Sequence, residues 1–364
     1  YLDPQQKGDI RTVIYDFQTG ERSSTELFDQ LQLDDHDSPV FLALPDDSLL
    51  TVFAQHGDEN LFYYRISEPG DPTRWGPVNQ FIPSESTSLT YSNPHLLTGE
   101  KNRIYNFFRG LDNSFKPSYV YSDDLGRTWT TGNVFIDVPS EFRHRPYVRY
   151  VSDGLNTVHM IYTEGHPRNY DNSIYHIYYR DGFLHRSNGS RIASLSEGLS
   201  KPELGTLVFE GDPDHVAWTV DIELDKQGRP FTAYSVQVGS AGLASQQGGE
   251  DHRYRFAYWD GETWHDSQMA YAGSRLYPRE DDYTGLVALV PGDPWIAFIS
   301  TDANPSTGEP LISQEDGKRH YEIFRGERNG SDSWKWTAVT KDSTEDNLRP
   351  IIPKPSEGKT AVLW

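Results

Sequence analysis

The sequence contains no cysteine and only two methionines. Disulfides and cysteine-ligated metal sites are therefore excluded, although a cysteine-free chain can function in any compartment. No stretch approaches the roughly 20 apolar residues of a membrane helix, so we expect a soluble protein without a membrane partner. The sequence begins at Tyr1 rather than at a methionine, and we expect that an initiator methionine and any signal peptide are missing from it. We expect a secreted, periplasmic or cell-surface protein.

Basic residues are scarce relative to acidic ones. The 33 Lys and Arg stand against 54 Asp and Glu, which gives a formal net charge of −21. A surface of this kind argues against nucleic acid as a partner, because nucleic-acid binding needs basic patches. An anionic substrate would require a local cluster of Arg, Lys and His that overcomes the field of the whole molecule.

Aromatic residues, glycine and proline are plentiful, with 22 Tyr, 17 Phe, 9 Trp, 30 Gly and 23 Pro. This composition favours many short strands joined by tight turns. Alternating apolar runs at residues 40–44, 50–54 and 103–108, separated by turns rich in Asp and Gly, fit that pattern. No segment is typical of a linker or a long amphipathic helix, so the sequence predicts an all-β fold.

A repeated unit organises the chain. Polar openings that each precede several strands begin at residues 35, 91 and 143, a period of roughly fifty residues that is typical of propeller blades. Further openings begin at residues 214, 279 and 347. We predict a seven-bladed β-propeller that forms a single catalytic domain over residues 1–364. Its N- and C-terminal segments would close the ring and so remove exposed sheet edges.

One turn matches the Asp-box pattern Ser-x-Asp-x-Gly-x-Thr-Trp, at residues 122–129. In such a hairpin turn we expect Asp124 to accept hydrogen bonds from backbone amides and Gly126 to adopt a positive φ. Trp129 would pack beneath the turn. Because Asp-boxes lie away from active sites, this match supports the fold and carries no information about chemistry.

Two stretches supply the basic cluster that an anionic substrate would need. Residues 142–150 and 162–170 together contain His144, His166, Arg143, Arg145, Arg149 and Arg168. A second group follows the glycine-rich segment 239–249, where Arg253 and Arg255 alternate with Tyr254 and so share one face of a strand. Each of these residues can also have a purely structural role. The histidines can form hydrogen bonds between strands, the arginines can lie on a solvated face, and Tyr234 can pack in the core.

The blade openings, segment 166–176 and segment 343–350 resemble the BNR-repeat family, which includes the seven-bladed ulvan lyases of polysaccharide lyase families 24 and 25. The similarity runs over nearly the whole chain. These lyases use two histidines, a later tyrosine and an arginine shortly after it. The resemblance places His144, His166, Tyr234 and Arg253 in those catalytic roles, with Arg255 as the alternative for the arginine. Further residues are candidates for substrate binding, namely Arg255, Arg145, Arg168, Tyr170, Lys116 and Trp218.

β-Elimination at a uronate removes the proton on C-5, expels the oxygen on C-4 and leaves an unsaturated uronate end. Neutralising the carboxylate with Arg253 would stabilise the enolate-like charge that develops. Tyr234 and His144 would form the acid/base pair, and His166 would orient or help to neutralise the carboxylate. The chemistry needs no cofactor. The resemblance implies that a structural calcium or zinc can be present, and without cysteine a zinc site would need histidines and carboxylates.

The resemblance implies a sulfated, uronate-containing polysaccharide of the ulvan kind as the substrate, and a monomer is the default assembly. Two other functions stay open. A glycoside hydrolase of the rhamnosyl-glucuronate type shares this scaffold, and hydrolases normally present two carboxylates that flank the bond. A non-catalytic carbohydrate-binding propeller would instead use its many tyrosines and tryptophans as stacking platforms.

Overall fold

The computed structural model describes residues 7–34, 36–85, 87–112, 114–137, 145–241, 243–330, 333–354 and 360–364. Within these ranges the chain forms 25 strands and two single 3-10 turns, Thr98–Glu100 and Pro202–Leu204. The strands pair into six sheets over the same ranges. No helix in the described part of the chain is long and apolar enough to cross a membrane.

The sheets follow one another along the chain. The first contains β1 (Ile10–Tyr15) and β2 (Arg22–Phe28). The second contains β3 (Val40–Ala43), β4 (Leu49–Phe53), β5 (Phe62–Glu68), β6 (Asp71–Trp75) and β7 (Asn79–Phe81). The third contains β8 (Thr90–Leu97), β9 (Arg103–Arg109), β10 (Pro117–Ser122) and β11 (Thr130–Val134).

The remaining three sheets are of similar size. The fourth contains β12 (Val148–Ser152), β13 (Thr157–Tyr162), β14 (Ile174–Arg180), β15 (Phe183–His185), β16 (Arg191–Ser194) and β17 (Thr206–Phe209). The fifth contains β18 (His215–Leu224), β19 (Pro230–Val238), β20 (His252–Trp259) and β21 (Trp264–Gly273). The sixth contains β22 (Val287–Val290), β23 (Asp293–Thr301), β24 (Glu322–Asn329) and β25 (Ser333–Ala338).

The first strands of the five larger sheets pack against one another in sequence order, from β3 through β8, β12 and β18 to β22. Each of these strands begins an antiparallel meander that runs outward to the edge of its sheet. The prediction of an all-β propeller is therefore confirmed. The number of seven blades stays a prediction, because the described residues form six sheets and one of these has only two strands.

The core lies between neighbouring sheets, which explains why their middle strands are buried on both faces. All six residues of β13 are buried, for example. Between the second and third sheets, Val52 and Phe62 pack in one cluster with Phe108. Between the fourth and fifth sheets, Ile161 packs in one cluster with Ala217.

The two ends of the chain pack against different sheets. Leu27 of β2 packs with Phe53 and Tyr63 of the second sheet. Near the other end, Ile352 packs in a cluster with residues of the sixth sheet. An antiparallel bridge joins Ile351 to Leu363. The terminal segments therefore extend the apolar core at both ends of the series of sheets.

The turn at residues 122–129 is held by side-chain hydrogen bonds. Asp124 accepts a hydrogen bond from the Thr128 amide at 2.8 Å and another from the Thr128 hydroxyl at 2.6 Å. Gly126 has a φ of 82°, a value that residues with a Cβ rarely adopt. Trp129 is buried and meets Phe62 edge-on, with 5.6 Å between the ring centroids. The turn therefore fixes the third sheet against the second.

Candidate active site

A cavity of about 540 Å³ lies where the first strands of the sheets converge. The sheets second to sixth and the segment 349–352 all contribute to its wall. Residues distant in sequence meet here because the starts of the first strands and the ends of the second strands lie at one end of the propeller. The polar and aromatic residues lining it include His36, Tyr91, Arg109, Tyr147, Arg149, Trp218, Asp221, Glu223, Asp282, Tyr283 and Arg349.

Arg109, the last residue of β9, is a buried charge in the wall of this cavity. Its side chain is 6% exposed, and its Nε and Nη1 atoms have no hydrogen-bond partner. Its guanidinium carbon lies 4.7 Å from the ring centroid of Tyr91 and 4.6 Å from that of Tyr147. Among the described residues, no carboxylate forms an ion pair with it. A buried charge without a counter-ion is costly, so this position favours binding of an anion.

Tyr91 faces Arg109 because of a local irregularity in β8. The pairing of β8 with β9 shifts its register between Thr90 and Asn93, as in a β-bulge. Within this bulge Tyr91 adopts a φ of 66°, in the left-handed region that non-glycine residues rarely occupy. The bulge places the tyrosine ring against the guanidinium in the wall of the cavity.

His166 follows β13 and is 2% exposed. Its Nδ1 atom accepts a hydrogen bond from the backbone amide of Arg168 at 3.2 Å. Burial is the largest cause that lowers the pKa of this ring to about 2, and nearby arginine charges add to it. A neutral imidazole that accepts through Nδ1 carries its proton on Nε2. His166 is therefore a neutral N–H donor over the physiological pH range.

Two aromatic residues connect His166 to the cavity. Tyr147 precedes β12, and its ring centroid lies 5.5 Å from that of His166. Trp218 of β18 contacts both rings, at 5.2 Å from His166 and 5.1 Å from Tyr147. The Tyr147 amide donates a hydrogen bond to the Thr163 hydroxyl at 3.2 Å, which fixes the start of β12 against the end of β13. Arg109, Tyr147, His166 and Trp218 thus form one contiguous group.

Three carboxyl groups in the cavity are shifted toward their neutral forms. Burial raises the pKa of Asp221 to about 6, although the Leu289 amide donates a hydrogen bond to it at 2.8 Å. Burial and the nearby Asp221 charge raise the pKa of Glu223 to about 8. Burial, followed by the charge of Asp281, raises the pKa of Asp282 to about 7. The cavity is therefore much less acidic than the surface of the molecule.

A second cavity, of about 650 Å³, adjoins the first. Asp282 lines both cavities. Most of the wall of the second cavity comes from segments 167–171, 240–241, 243–248 and 277–282. Arg168, a predicted substrate-binding residue, lies in this wall and forms an ion pair with Glu280. The two cavities together provide an extended depression across the fourth, fifth and sixth sheets.

Tyr234 and Arg255 lie together, away from the cavity. Tyr234 is 0% exposed, and its hydroxyl donates a hydrogen bond to Asp266. Arg255 forms an ion pair with the same carboxylate. Side chains alternate across a strand, and it is the next residue of β19, Ser235, that lines the cavity. The predicted catalytic tyrosine therefore points into the interface between the fourth and fifth sheets.

Arg253 and Lys116 are engaged by carboxylates of their own. Arg253 donates two hydrogen bonds to Asp251, each of 2.6 Å, and its guanidinium lies 3.8 Å from the ring centroid of Tyr271. The Lys116 ammonium is buried and lies 2.6 Å from Asp137. Neither residue contributes to the wall of the cavity that contains Arg109.

The remaining predicted residues have different outcomes. Arg145 lies close enough to His166 to influence its pKa. Tyr170 packs over Gly165, where an added Cβ would lie 2.3 Å from the tyrosine ring. His144 and Arg143 lie outside the described residues. The structure places Trp218 and His166 side by side next to the cavity, whereas the other adjacent pair of predicted residues, Tyr234 and Arg255, lies away from it.

Sequence reasoning missed Arg109 and Tyr91, and selected the segment around Tyr147 without selecting Tyr147 itself. The available signal was slight. Arg109 is a charged residue at the end of an apolar strand and is followed by Gly110. A charge at the end of a strand can face a cavity. Tyr147 is part of the basic stretch 142–150, in which the charged residues attracted attention.

Histidine and aspartate also come together beside the cavity. Single ligand atoms of Asp34, His36 and His56 all lie within 4.8 Å of one another. This is the one group of three or more such residues found in the described part of the chain. His36 also lines the cavity.

The model of the BNR repeat-containing family matches residues 6–272 of this chain. A search of curated proteins finds no match. Among solved structures, one described as a new family of polysaccharide lyase, PL25 ulvan lyase, is 16% identical. It superposes with a TM-score of 0.63 over 93% of this chain and 78% of that chain.

A second solved structure is the PL25 ulvan lyase bound to -[GlcA(1-4)Rha3S]-. It is 15% identical, with a TM-score of 0.65 over 96% of this chain and 80% of that chain. At 15–16% identity, these superpositions show that the fold is shared and nothing further.

Proposed function

This chain belongs to the BNR repeat-containing family, and on that premise we propose that it is a polysaccharide lyase. Its substrate would be an acidic, uronate-containing polysaccharide, cleaved by β-elimination. The observation that carries the proposal is the buried guanidinium of Arg109, which lines the cavity and whose Nε and Nη1 donors have no partner. Neutral His166 lies behind the cavity wall, in contact with Tyr147 and Trp218.

Arg109 would bind the uronate carboxylate. A carboxylate suits this position because it supplies both a negative charge and two acceptor oxygens to a planar set of donors. The Nε2–H group of His166 would donate a further hydrogen bond to the same carboxylate or to an adjacent oxygen. Together they would stabilise the charge that moves onto the carboxylate as the C-5 proton leaves. In this proposal Arg109 takes the role that the sequence assigned to Arg253.

The elimination needs one base and one acid. The base takes the proton from C-5, the electron pair of that bond forms the double bond between C-4 and C-5, and the bond from C-4 to the leaving oxygen breaks. The acid protonates that oxygen. We assign the acid to the hydroxyl of Tyr147, which lies between Arg109 and His166. The sequence predicts His144 as one member of the acid/base pair without assigning its role, and we propose it as the base.

The substrate class follows from charge and from the extended depression. The cavity gathers Arg109, Arg149 and Arg349, while its carboxyl groups are shifted toward neutrality. The second cavity would hold the sugars that continue the chain. The likeness to ulvan lyases makes a sulfated rhamnose–uronate polymer the first substrate to test. A polymer of this size is met outside the cell, so secretion is part of the proposal.

The test is a paired assay with purified protein and ulvan. A steady rise in ultraviolet absorbance from unsaturated uronate, together with new reducing ends, is the expected result. Carboxyl-reduced ulvan is the control substrate, and it should give neither signal because it lacks the group that Arg109 binds. New reducing ends without absorbance would contradict β-elimination.

A hydrolase is the second candidate, and one observation favours it. Asp282 and Glu223 line the same cavity as Arg109, and the pKa values of their carboxyl groups are raised to about 7 and about 8. An acid of this kind can protonate a leaving oxygen in glycoside hydrolysis. Reducing ends without absorbance, abolished by Asp282→Asn or Glu223→Gln, would establish this function instead.

A further inference from the structure

Three ligand-type side chains converge where the segment before β3 meets the turn after β4. The imidazole rings of His36 and His56 stack, with 3.8 Å between their centroids and 16° between their planes. The Asp34 carboxylate bridges the edges of the two rings. One of its carboxylate oxygens hydrogen-bonds the Nδ1 atom of His36, and the other lies 3.2 Å from the Nδ1 atom of His56.

A fourth side chain beside this cluster, the carboxylate of Asp37, is buried without hydrogen-bond donors. Asp37 is 1% exposed, and neither of its carboxylate oxygens has a hydrogen-bond partner. Its charged neighbours include two further carboxylates, those of Asp34 and Asp58. A buried carboxylate without a donor or a cation is strongly unfavourable. Three carboxylates, those of Asp34, Asp37 and Asp58, are therefore concentrated beside the His36 ring.

We propose that Asp34, His36 and His56 bind a divalent transition-metal ion, with zinc as the best fit, and that the buried side chain of Asp37 lies beside it. Two imidazoles and one carboxylate form a ligand set typical of zinc and related ions. Calcium is a poor fit because it prefers six or more oxygen ligands. The stacked rings and the shared carboxylate already bring one ligand atom of each residue within 4.8 Å of the others.

The site would join two segments that are separate in the chain. Gln32 strengthens the same junction, since its side-chain oxygen accepts a hydrogen bond from the His56 amide at 2.8 Å and its side-chain nitrogen donates to Asp58 at 2.7 Å. His36 lines the substrate cavity, and its ring centroid lies 5.6 Å from that of Tyr91. A metal here would therefore hold one wall of the cavity in place without taking part in proton transfer.

The experiment measures metal content and melting temperature, and needs no substrate. Protein stripped with a chelator and dialysed would be titrated with Zn²⁺ and, separately, with Ca²⁺. We expect about one equivalent of Zn²⁺ to bind per chain and the melting temperature to rise by roughly 4 °C. The double variant His36→Ala/His56→Ala should lose both effects. Asp34→Asn, which keeps the side-chain shape, should weaken Zn²⁺ binding at least tenfold.

The matched control is His265→Ala. His265 also pairs with an aspartate, Asp260, at 2.6 Å, but that pair has no third ligand among the described residues. This variant should bind Zn²⁺ as the wild type does. Failure of the wild type to bind Zn²⁺, equal binding by the Asp34→Asn variant, or preference for Ca²⁺ would each overturn the assignment. Because metal content is read without turnover, these outcomes are independent of whether the protein is a lyase.

Discussion

Arg109 and Arg253 occupy opposite electrostatic situations in the same molecule. Arg253 lies on β20, where Asp251 takes two hydrogen bonds from it and Tyr271 covers one face of its guanidinium. Arg109 ends β9 in the central cavity, where two tyrosine rings cover its faces and its Nε and Nη1 donors have no partner. The two side chains are chemically identical, and their partners alone distinguish them.

An arginine whose donors are already bound by a carboxylate cannot be distinguished in a sequence from an arginine whose donors are available for a ligand. A guanidinium that already holds a bidentate carboxylate must lose that partner before it can bind a substrate anion. One that is buried without a counter-ion gains stability when the anion arrives. For this reason the candidate anion site is at Arg109.

The largest effect is expected from removing the available arginine. Arg109→Ala should lower the rate of β-elimination about 100- to 1,000-fold, because the charge that develops on the carboxylate loses its main partner. Initial rates of ultraviolet absorbance on ulvan measure this. Arg253→Ala is the matched control and should retain activity within about threefold when corrected for folded protein. Equal losses in the two variants would remove the distinction between the arginines.

The two tyrosines should separate activity from stability. Tyr147→Phe should lower kcat about 100-fold, because the leaving oxygen loses its acid, with little change in melting temperature. Tyr234→Phe should leave kcat nearly unchanged but lower the free energy of unfolding by about 1 to 3 kcal/mol, since Asp266 loses a buried hydrogen bond. Steady-state kinetics measures kcat for both variants, and urea unfolding measures their free energies of unfolding. The reverse pattern would restore Tyr234 as the catalytic tyrosine.

A smaller effect concerns the dependence of stability on pH. Burial and Asp281 raise the pKa of Asp282 to about 7, whereas an unfolded aspartate has a value near 4. Between these values the folded protein binds the proton more tightly than the unfolded chain. The contribution of Asp282 to the free energy of unfolding therefore falls as the pH rises from about 4 to about 7, and the loss persists above that pH.

Asp282→Asn should flatten this decline by about 1 to 3 kcal/mol. Urea unfolding at pH 5 and at pH 7.5 measures it, and Glu315→Gln, at an exposed site, serves as the control. An unchanged slope in the Asp282→Asn protein would show that this carboxyl group titrates as an ordinary surface aspartate.

Much of the architecture could be predicted from the sequence. Repeated openings, alternating apolar runs and turn residues are local features, and local features determine where strands begin and end. The blade openings at residues 91 and 214 lie within a few residues of the observed starts of β8 and β18. Trp218 and His166 were selected for their place in such openings and turns, and both contribute to the contiguous group.

The partner of each charged side chain could not be predicted in the same way. Tyr234 and Ser235 are adjacent on β19, so their side chains point to opposite faces of the strand. One of these faces lies in the interface between sheets and the other in the cavity, and an error of one residue in the sequence interpretation therefore selects the wrong side chain. The engagement of Arg255 by Asp266 depends on the register between β20 and β21, which the pattern of apolar residues does not reveal. Arg109 of the third sheet meets Tyr147 at the start of the fourth, a contact set by the packing of one sheet against the next rather than by any motif.

The most direct test of the central claim is a binding cycle on Arg109. Calorimetry would measure the affinity of an ulvan oligosaccharide and of its carboxyl-reduced form for the wild type and for Arg109→Gln. The account predicts that reducing the carboxylate weakens wild-type binding at least tenfold, or about 1.4 kcal/mol, and leaves the affinity of Arg109→Gln almost unchanged. If both proteins lose the same factor, the carboxylate is bound elsewhere and the assignment of Arg109 is contradicted.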